Sequence, residues 1–128
     1  MYEELLKAIN LNNRVIFLGN VNAGTSQVMK ILLSMNVIEN RTLIEFEKDI
    51  EFINKNLITN PSIEFRPYKS YVEIPSIIDS LEGKPYMAVV NTEEEYREKP
   101  NFNTYIGQAF DKAVYFKGAN DYSINDVG

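Results

Sequence analysis

The stretch of residues 14–35 constrains the fold of this chain more than any other. It begins with a short apolar run, Val15-Ile16-Phe17-Leu18, which is rich in β-branched and aromatic residues. A loop bounded by Gly19 and Gly24 follows, and apolar residues then recur at intervals of three and four over residues 28–35. The first run favours a buried strand, and the later spacing is that of an amphipathic helix. The pattern predicts a strand, a tight loop and a helix.

The loop has the outline of a phosphate-binding loop, which reads Gly, four residues, Gly, Lys and then Ser or Thr. Gly19 and Gly24 stand at the two glycine positions and Ser26 at the hydroxyl position, whereas Thr25 replaces the lysine. Backbone N–H groups of such a loop, with the positive end of the following helix, can hold an anion without that lysine. Phosphoryl transfer depends on positioning and electrostatics, so the missing lysine predicts poor hydrolysis. A strand-to-helix turn that needs two glycines and binds nothing explains the same pattern.

Composition excludes several kinds of site and partner. At 128 residues the chain is expected to form a single domain, residues 1–128. It carries 13 basic and 18 acidic residues without a basic cluster, so nucleic acid is not expected as a partner. The absence of cysteine and histidine excludes disulfides, a Ser-His-Asp triad, a Cys-His pair and a histidine-bearing zinc site. No apolar run is long enough for a membrane span or a signal peptide, so we expect a cytoplasmic protein.

The rest of the chain alternates helical and strand patterns. Strands are predicted over residues 62–68, 86–90 and 113–116, and helices over residues 2–10, about 42–58 and 104–111. Residues 70–82 are ambiguous, with a helix that could start at Pro75 and end near Gly83, and the turn-rich tail of residues 117–128 is expected to fray. The alternation predicts an α/β fold: a three-layer, mainly parallel sheet flanked by helices, like that of P-loop NTPases.

Acidic residues are concentrated in the predicted helix over residues 42–58. Thr42 and Glu45 have the spacing of a capping box that would open this helix. Glu45, Glu47, Asp49 and Glu51 follow one another at a spacing of two, which spreads them around a helix and does not gather them on one face. We therefore expect a solvated surface here and not a metal or acid–base site.

Residues 90–121 resemble a segment of the microcompartment-associated GTPase-like proteins of ethanolamine and propanediol utilization. In that family a strand ends in Asp-Thr-Pro-Gly beside the γ-phosphate, Glu-Tyr follows closely, and Gly-Ala-Asn-Asp comes after a helix and an apolar strand. The corresponding residues here are Asn91-Thr92-Glu93-Glu94, then Glu95-Tyr96, and later Gly118-Ala119-Asn120-Asp121. With the phosphate-binding loop outline, the resemblance covers about half of the chain.

Every departure from the family pattern weakens a nucleotide-hydrolysing site. Thr25 replaces the loop lysine, Asn91 replaces the aspartate that helps to order Mg²⁺, and Glu94 replaces the switch glycine. Residues 38–84 are longer than the family needs, and no Asn-Lys-x-Asp segment for guanine follows the apolar strand. The run of residues 93–95, three glutamates, would repel a triphosphate. The resemblance thus implies a degenerate, shortened relative: a P-loop-like pseudo-GTPase that acts as a non-catalytic binding or scaffold module linked to microcompartment metabolism.

On this hypothesis a nucleotide or phosphate is the expected ligand, and Mg²⁺ is not expected to bind with it. The hypothesis predicts no catalytic or metal-ligating residue. The candidate ligand-binding residues are Gly19, Asn20, Asn22, Gly24, Thr25, Ser26, Asn91 and Thr92. The alternative is a protein that binds or sequesters a small anionic, nucleotide-like ligand, with Tyr96, Phe102 and Tyr105 supplying apolar contacts. Two further classes stay open: an enzyme that uses carboxylates or hydroxyls, and a homo-oligomer or protein-binding module, which eight Tyr and seven Phe favour.

Overall fold

A computed structural model of the chain describes residues 2–19, 24–35, 37–55, 62–91, 102–118 and 120–127. The helices are α1 (Glu3–Leu11), α2 (Thr25–Ser34), α3 (Glu47–Lys55), α4 (Ile74–Ser80) and α5 (Phe102–Ala109). The strands are β1 (Arg14–Gly19), β2 (Arg41–Phe46), β3 (Ile63–Tyr68), β4 (Tyr86–Asn91), β5 (Lys112–Gly118) and β6 (Asp121–Asp126). A 3₁₀ turn, Tyr71–Glu73, leads directly into α4.

The strands form one sheet in the order β3-β2-β4-β1-β5-β6. β1 pairs in parallel with β4 and β5, and β2 pairs in parallel with β3 and β4. Among the described strands β6 alone runs antiparallel, against β5. Helices cover both faces of the sheet, so the predicted α/β architecture with a mainly parallel sheet is confirmed.

The core consists of two apolar layers, one on each face of the sheet. On one face, Phe17 of β1 belongs to the same layer as Leu5 of α1 and Leu32 of α2. On the other face, Ile16 of β1 belongs to the layer that includes Ile106 of α5 and residues of α4. Neighbouring residues of a strand point to opposite faces, so a strand covered on both sides is apolar throughout. The four-residue apolar run of β1 predicts a buried strand for this reason.

The predicted helix over residues 42–58 is wrong in its first part. Residues Arg41–Phe46 form β2, and α3 begins at Glu47. β2 lies between β3 and β4, and residues 41–45 are all buried. The spacing of Thr42 and Glu45 is therefore not a capping box, because both residues belong to a strand.

The expectation that residues 117–128 fray is also wrong for most of them. Residues Asp121–Asp126 form β6, which pairs with the whole length of β5. Tyr122 packs against the core layer beneath α1, with its ring centroid 6.3 Å from that of Tyr2 and 5.6 Å from that of Phe116. These contacts stabilise the strand at the edge of the sheet.

The ambiguous stretch over residues 70–82 contains the 3₁₀ turn and α4. Ser70 and Glu73 form a capping box at the start of the turn, in which the Glu73 carboxylate accepts the Ser70 N–H at 2.7 Å. α4 ends at the C-cap Leu81, and Gly83 follows with φ of +83°. Glycine adopts this left-handed conformation without a steric penalty, which agrees with the predicted helix end.

Two arginines form hydrogen bonds at the edge of the sheet where the parallel strands begin. Arg14 of β1 donates from Nη2 and Nε to the two carboxylate oxygens of Asp111, at 2.7 and 3.2 Å. Arg41 of β2 is buried and donates from Nη2 to the carbonyl oxygen of Asn12 at 2.6 Å, just after α1. These bonds join the end of α1 and the turn before β5 to the sheet.

Candidate functional site

The carboxyl ends of β4, β1 and β5 lie side by side at one edge of the sheet. Gly19, the last residue of β1, is the register partner of Asn91, the last residue of β4. On its other side Gly19 is the register partner of Phe116 in β5. Neighbouring strands are about 4.8 Å apart, so the segments that follow β1 and β4 start close together. The structure thus places side by side the two strand ends, Gly19 and Asn91, from which the predicted glycine loop and switch-like stretch continue.

The helices that follow β1 and β4 in the chain lie on opposite faces of the sheet. α2 packs into the layer that contains Phe17, through Val28 and Leu32. α5 packs into the other layer, through Ile106. Adjacent parallel strands whose connections leave toward opposite faces mark the topological switch point of an open α/β sheet, and ligands bind in the crevice beyond it. Gly19 and Asn91 stand at that point.

α2 begins at the same edge with an unusually open first turn. Gly24 precedes it in the left-handed conformation, with φ of +80° and ψ of +18°, which explains why glycine is suited to this position. Gly24 has no side chain that could cap the helix, and the described first turn carries no acidic residue. Val28 N–H already donates to the Gly24 carbonyl oxygen at 3.0 Å, whereas the N–H groups of the first turn have no partner within a helix. Such donors, with the positive helix end, favour an anion.

Thr25, the residue in place of the lysine, is the first residue of α2. Its hydroxyl oxygen is buried and has no hydrogen-bond partner in the part of the chain that the structure describes. A buried hydroxyl without a partner costs free energy, so it is retained at a cost to stability. A ligand oxygen beside the first turn of α2 would supply the missing partner.

The other predicted site residues are described to different extents. Gly19 and Gly24 flank the loop as the sequence indicates, and Ser26 follows Thr25 within α2. For Ser26 and Asn91 only the backbone position is described. Three predicted positions lie outside the described residues: Asn20, Asn22 and Thr92.

Of the three aromatic residues predicted to contact a small ligand, the structure describes the side chain of Tyr105. Tyr96 lies outside the described residues, and Phe102 is described only as the first residue of α5. Tyr105 packs against the core layer beneath α5, and burial raises the pKa of its phenol to about 12. Of these three aromatic residues, Tyr105 therefore serves the core.

The sheet opens between β2 and β4 near the same edge. Thr42 N–H donates to the carbonyl oxygen of Pro85 at 3.1 Å, and the pairing of the two strands ends at Ile44. The N–H groups on one side of a strand recur every second residue. A ladder that continued past Ile44 would therefore join the Phe46 N–H to the Val89 carbonyl oxygen. Both groups have other partners instead.

Two side chains replace the missing bond of the ladder. Phe46 N–H donates to Oε1 of Glu45 at 3.2 Å. The Val89 carbonyl oxygen accepts the hydroxyl of Tyr68, which reaches it from β3 at 2.7 Å. An unpaired buried backbone group would cost free energy. Glu45 and Tyr68 avoid that cost because they supply hydrogen-bond partners where the two strands separate.

The prediction that Glu45 lies on a solvated helix face is wrong. Glu45 is the penultimate residue of β2, opposite Pro67 of β3, and is only 1% exposed. Alternation along β2 places its side chain on the same face as Leu43, which belongs to the layer beneath α2. Burial, and then the nearby carboxyl of Asp49, raise the pKa of Glu45 well above its usual range. An acid inside the apolar run of residues 43–46 is the one sequence signal that could have indicated this site.

The Gly-Ala-Asn-Asp motif of the resemblance spans the turn between β5 and β6. Gly118 ends β5 and pairs with Asp121, the first residue of β6, after a register shift at residues 116–118. The turn follows the carboxyl end of β5, at the edge of the sheet where Gly19 and Asn91 also lie. The strand ends from which the three segments of the resemblance continue therefore lie at one edge.

Within the described residues, no group of three His, Cys, Asp or Glu side chains could hold a metal ion. None of the described helices is long and apolar enough to cross a membrane. No protein-family model, no curated protein and no solved structure matches this chain.

Proposed function

We propose that this protein is a P-loop-like, non-catalytic binding or scaffold module whose β1–α2 loop binds an anionic group, such as phosphate or the phosphates of a nucleotide. The observation that carries the proposal is the register pairing of Gly19 with Asn91 at the ends of adjacent parallel strands. The helices after these strands lie on opposite faces of the sheet. In open α/β sheets, ligands bind in the crevice beyond such a pair of strands, which supports the proposal.

The start of α2 supports an anion in that crevice. Its first turn offers N–H donors, with no capping side chain at Gly24 and no acidic residue to oppose a negative ligand. Thr25 supplies a neutral hydroxyl where a lysine would neutralise phosphate charge. This chemistry favours binding over phosphoryl transfer, for which the lysine contributes electrostatic stabilisation. The pseudo-GTPase hypothesis is supported by the loop outline, the missing lysine and the resemblance of residues 90–121, and the link to microcompartment metabolism is supported by that resemblance.

A second candidate, a protein that binds or sequesters a small anionic ligand, is favoured by the Thr25 hydroxyl. That hydroxyl is buried without a partner among the described residues. A ligand that stays bound would satisfy it permanently, whereas a module that binds its anion reversibly would leave it unsatisfied when the loop is empty. The two candidates differ in whether a ligand leaves the purified protein on denaturation.

The test is a thermal-shift titration of freshly purified protein with phosphate, GTP, GDP, ATP and cyclic nucleotides, each with and without Mg²⁺. We expect saturable stabilisation by at least one of these anions without a requirement for Mg²⁺. Mass spectrometry of the supernatant after denaturation identifies any ligand that the protein already carries. Stabilisation by GTP or GDP that depends on Mg²⁺ would contradict the pseudo-GTPase hypothesis. The absence of both a thermal shift and a released ligand would contradict an anion site.

Variants locate the binding site. Gly24→Val and Ser26→Ala should abolish the thermal shift, and Thr25→Lys should increase the affinity for phosphates by adding the missing charge. Gly83→Val is the matched control for Gly24→Val, because Gly83 has a similar φ of +83° but follows α4. An equal loss of ligand-induced stabilisation in both glycine variants would show that general destabilisation, and not the loop, explains the result.

A further inference from the structure

The carboxyl group of Glu45 lies in the gap where β2 and β4 separate. Thr42 N–H donates toward β4, and Phe46 stands four residues later in the same strand, so its N–H points into the gap. Oε1 of Glu45 accepts that N–H at 3.2 Å, which places the carboxyl on the β4 side of β2. Tyr68 belongs to the core layer on the opposite face, and its hydroxyl reaches the same gap to donate to the Val89 carbonyl oxygen.

One oxygen of this carboxyl is left without a partner. Oε2 of Glu45 is buried and meets no hydrogen-bonding group among the described residues. Burial, and then the carboxyl of Asp49, raise the pKa of Glu45 well above its usual range and so favour the neutral acid. Because Oε1 accepts the Phe46 N–H, the proton of the neutral acid belongs on Oε2, which then becomes a donor.

A second buried oxygen without a described partner, the hydroxyl of Thr25, lies on the same face of the sheet. Alternation along β2 puts the Glu45 side chain on the face of Leu43, in the layer that packs against α2. Glu45 stands in the row of Val89, one residue before the end of β2, so both oxygens lie near the carboxyl edge. The gap is one and a half strand spacings, or about 7 Å, from β1.

We infer that the ligand of the β1–α2 loop is a phosphate ester whose other end carries a carbonyl oxygen or a ring nitrogen, as in a nucleoside monophosphate, and that the neutral Glu45 carboxyl donates a hydrogen bond to this acceptor. The inference rests on the proposed function and names the ligand class of that site. Thr25 and the first turn of α2 bind the phosphate, and Glu45 binds the other end. Inorganic phosphate is too short to reach both groups.

A neutral acid suits this position better than a carboxylate does. A second negative charge near the loop would repel the phosphate, whereas a neutral carboxyl does not. A ligand that engages both groups removes two unsatisfied buried oxygens at once, Oγ1 of Thr25 and Oε2 of Glu45. The geometry therefore selects for a ligand with an anionic end and an uncharged, accepting end.

The test is isothermal titration calorimetry with inorganic phosphate, ribose 5-phosphate, AMP, GMP, CMP and UMP. Ribose 5-phosphate has the phosphate and the sugar of the nucleotides but no base. We expect at least one nucleoside monophosphate to bind roughly 10- to 100-fold more tightly than ribose 5-phosphate, which is the gain from one hydrogen bond to a buried donor that otherwise has no partner. This ratio of dissociation constants is the preference that the variants must change.

Two variants of Glu45 separate the donor from the side chain. Glu45→Gln keeps an acceptor for the Phe46 N–H and places an N–H donor at the position of Oε2, so it should keep the preference. Glu45→Met has a similar length but no donor, so it should lose the preference while its dissociation constant for inorganic phosphate stays unchanged. Glu64→Met, which changes an exposed acid on β3, is the matched control and should change neither quantity.

The outcomes distinguish this inference from the proposed function. If phosphate binds but no nucleoside monophosphate binds more tightly than ribose 5-phosphate, the inference fails and the anion site stands. If none of the six compounds binds, both fail. A preference retained in Glu45→Met, or lost in Glu45→Gln, would overturn the role of Glu45 as a donor. Should Glu45→Met not fold, ¹³C NMR of the wild type decides: the Glu45 carboxyl resonance should shift with the preferred nucleotide and not with inorganic phosphate.

Discussion

Tyr68 donates its hydroxyl hydrogen to the carbonyl oxygen of Val89 at 2.7 Å, across the strand that separates β3 from β4. This bond exists because β2 leaves β4 after Ile44, which deprives Val89 of its expected partner, Phe46 N–H. The sheet is therefore held by side chains near the edge where β2, β4 and β1 end. Its geometry at the candidate site depends on single hydroxyl and carboxyl groups as well as on backbone pairing.

Tyr68→Phe removes this hydroxyl and leaves the buried Val89 carbonyl oxygen without its partner. We expect a loss of about 1–3 kcal/mol in the free energy of unfolding, the cost of an unsatisfied buried acceptor. Urea unfolding measures it, with Tyr115→Phe as a control because Tyr115 is 37% exposed. Equal stability of the Tyr68→Phe variant and the wild type would show that another donor reaches Val89 when the hydroxyl is absent.

Arg41→Met tests the buried guanidinium at the opposite edge. Methionine keeps an apolar stem of similar length but loses the bond to the Asn12 carbonyl oxygen, which is 2.6 Å long. We expect the free energy of unfolding to fall by about 1–3 kcal/mol and the amides of α1 to exchange faster. Arg66→Met, at a half-exposed arginine 3.8 Å from Glu64, should cost about 0.5 kcal/mol or less. An Arg41→Met variant as stable as the wild type would mean that desolvation of the charge cancels its hydrogen bonds.

Asp111→Asn tests the pair that Arg14 forms at the start of β1. The hydrogen bond from Arg14 lowers the pKa of Asp111, so the stabilisation is present above the unfolded pKa of about 3.9 and is lost as the pH falls through the folded pKa. Both side chains are more than one-third exposed, so we expect about 0.5–1 kcal/mol at neutral pH. Urea unfolding at pH 7 should separate the variant from the wild type, and the difference should vanish at low pH. Asp121→Asn, which changes an exposed acid on β6, should leave the free energy of unfolding at pH 7 within about 0.5 kcal/mol of the wild-type value.

The sequence predicted β1, α2 and β4 because each has a pattern of its own. β1 and β4 are uninterrupted apolar runs, and α2 has an apolar stripe after a glycine-bounded loop. The loop and the switch-like stretch were also predicted to lie at strand ends, where the structure has Gly19 and Asn91. Strand order was not predictable, because pairing joins residues far apart in the chain.

β2 was mistaken for a helix because its apolar residues continue into α3 at helical spacing. Leu43, Phe46 and Ile50 are three and four residues apart, although the helix begins only at Glu47. A strand buried on both faces has no period of two to contradict that spacing. The same error hid Glu45, since an acid assigned to an exposed helix gives no reason to expect burial. β6 was not predicted because few apolar residues surround Tyr122 and Ile124 in the sequence. Their apolar contacts come from residues distant in the chain, in α1 and β5.

Thr25→Val tests whether the site is retained for a ligand at a cost to the empty protein. Valine has nearly the same shape but no hydroxyl, and the Thr25 hydroxyl is buried without a partner among the described residues. We expect the ligand-free variant to gain about 1 kcal/mol in the free energy of unfolding, because an unsatisfied polar group is removed. The thermal shift produced by phosphate should become smaller in the same variant, because the ligand loses a hydrogen bond.

These opposite signs distinguish a binding residue from a structural one. A hydroxyl that served only the fold would make the ligand-free variant less stable, and one that served neither purpose would leave the phosphate shift unchanged. Thr104→Val, an exposed threonine on α5, is the matched control and should change neither quantity. Urea unfolding without ligand and thermal shift with phosphate, measured on the same preparations, give both signs. A less stable ligand-free Thr25→Val would contradict the prediction, since it would show that the hydroxyl already has a partner in the empty protein.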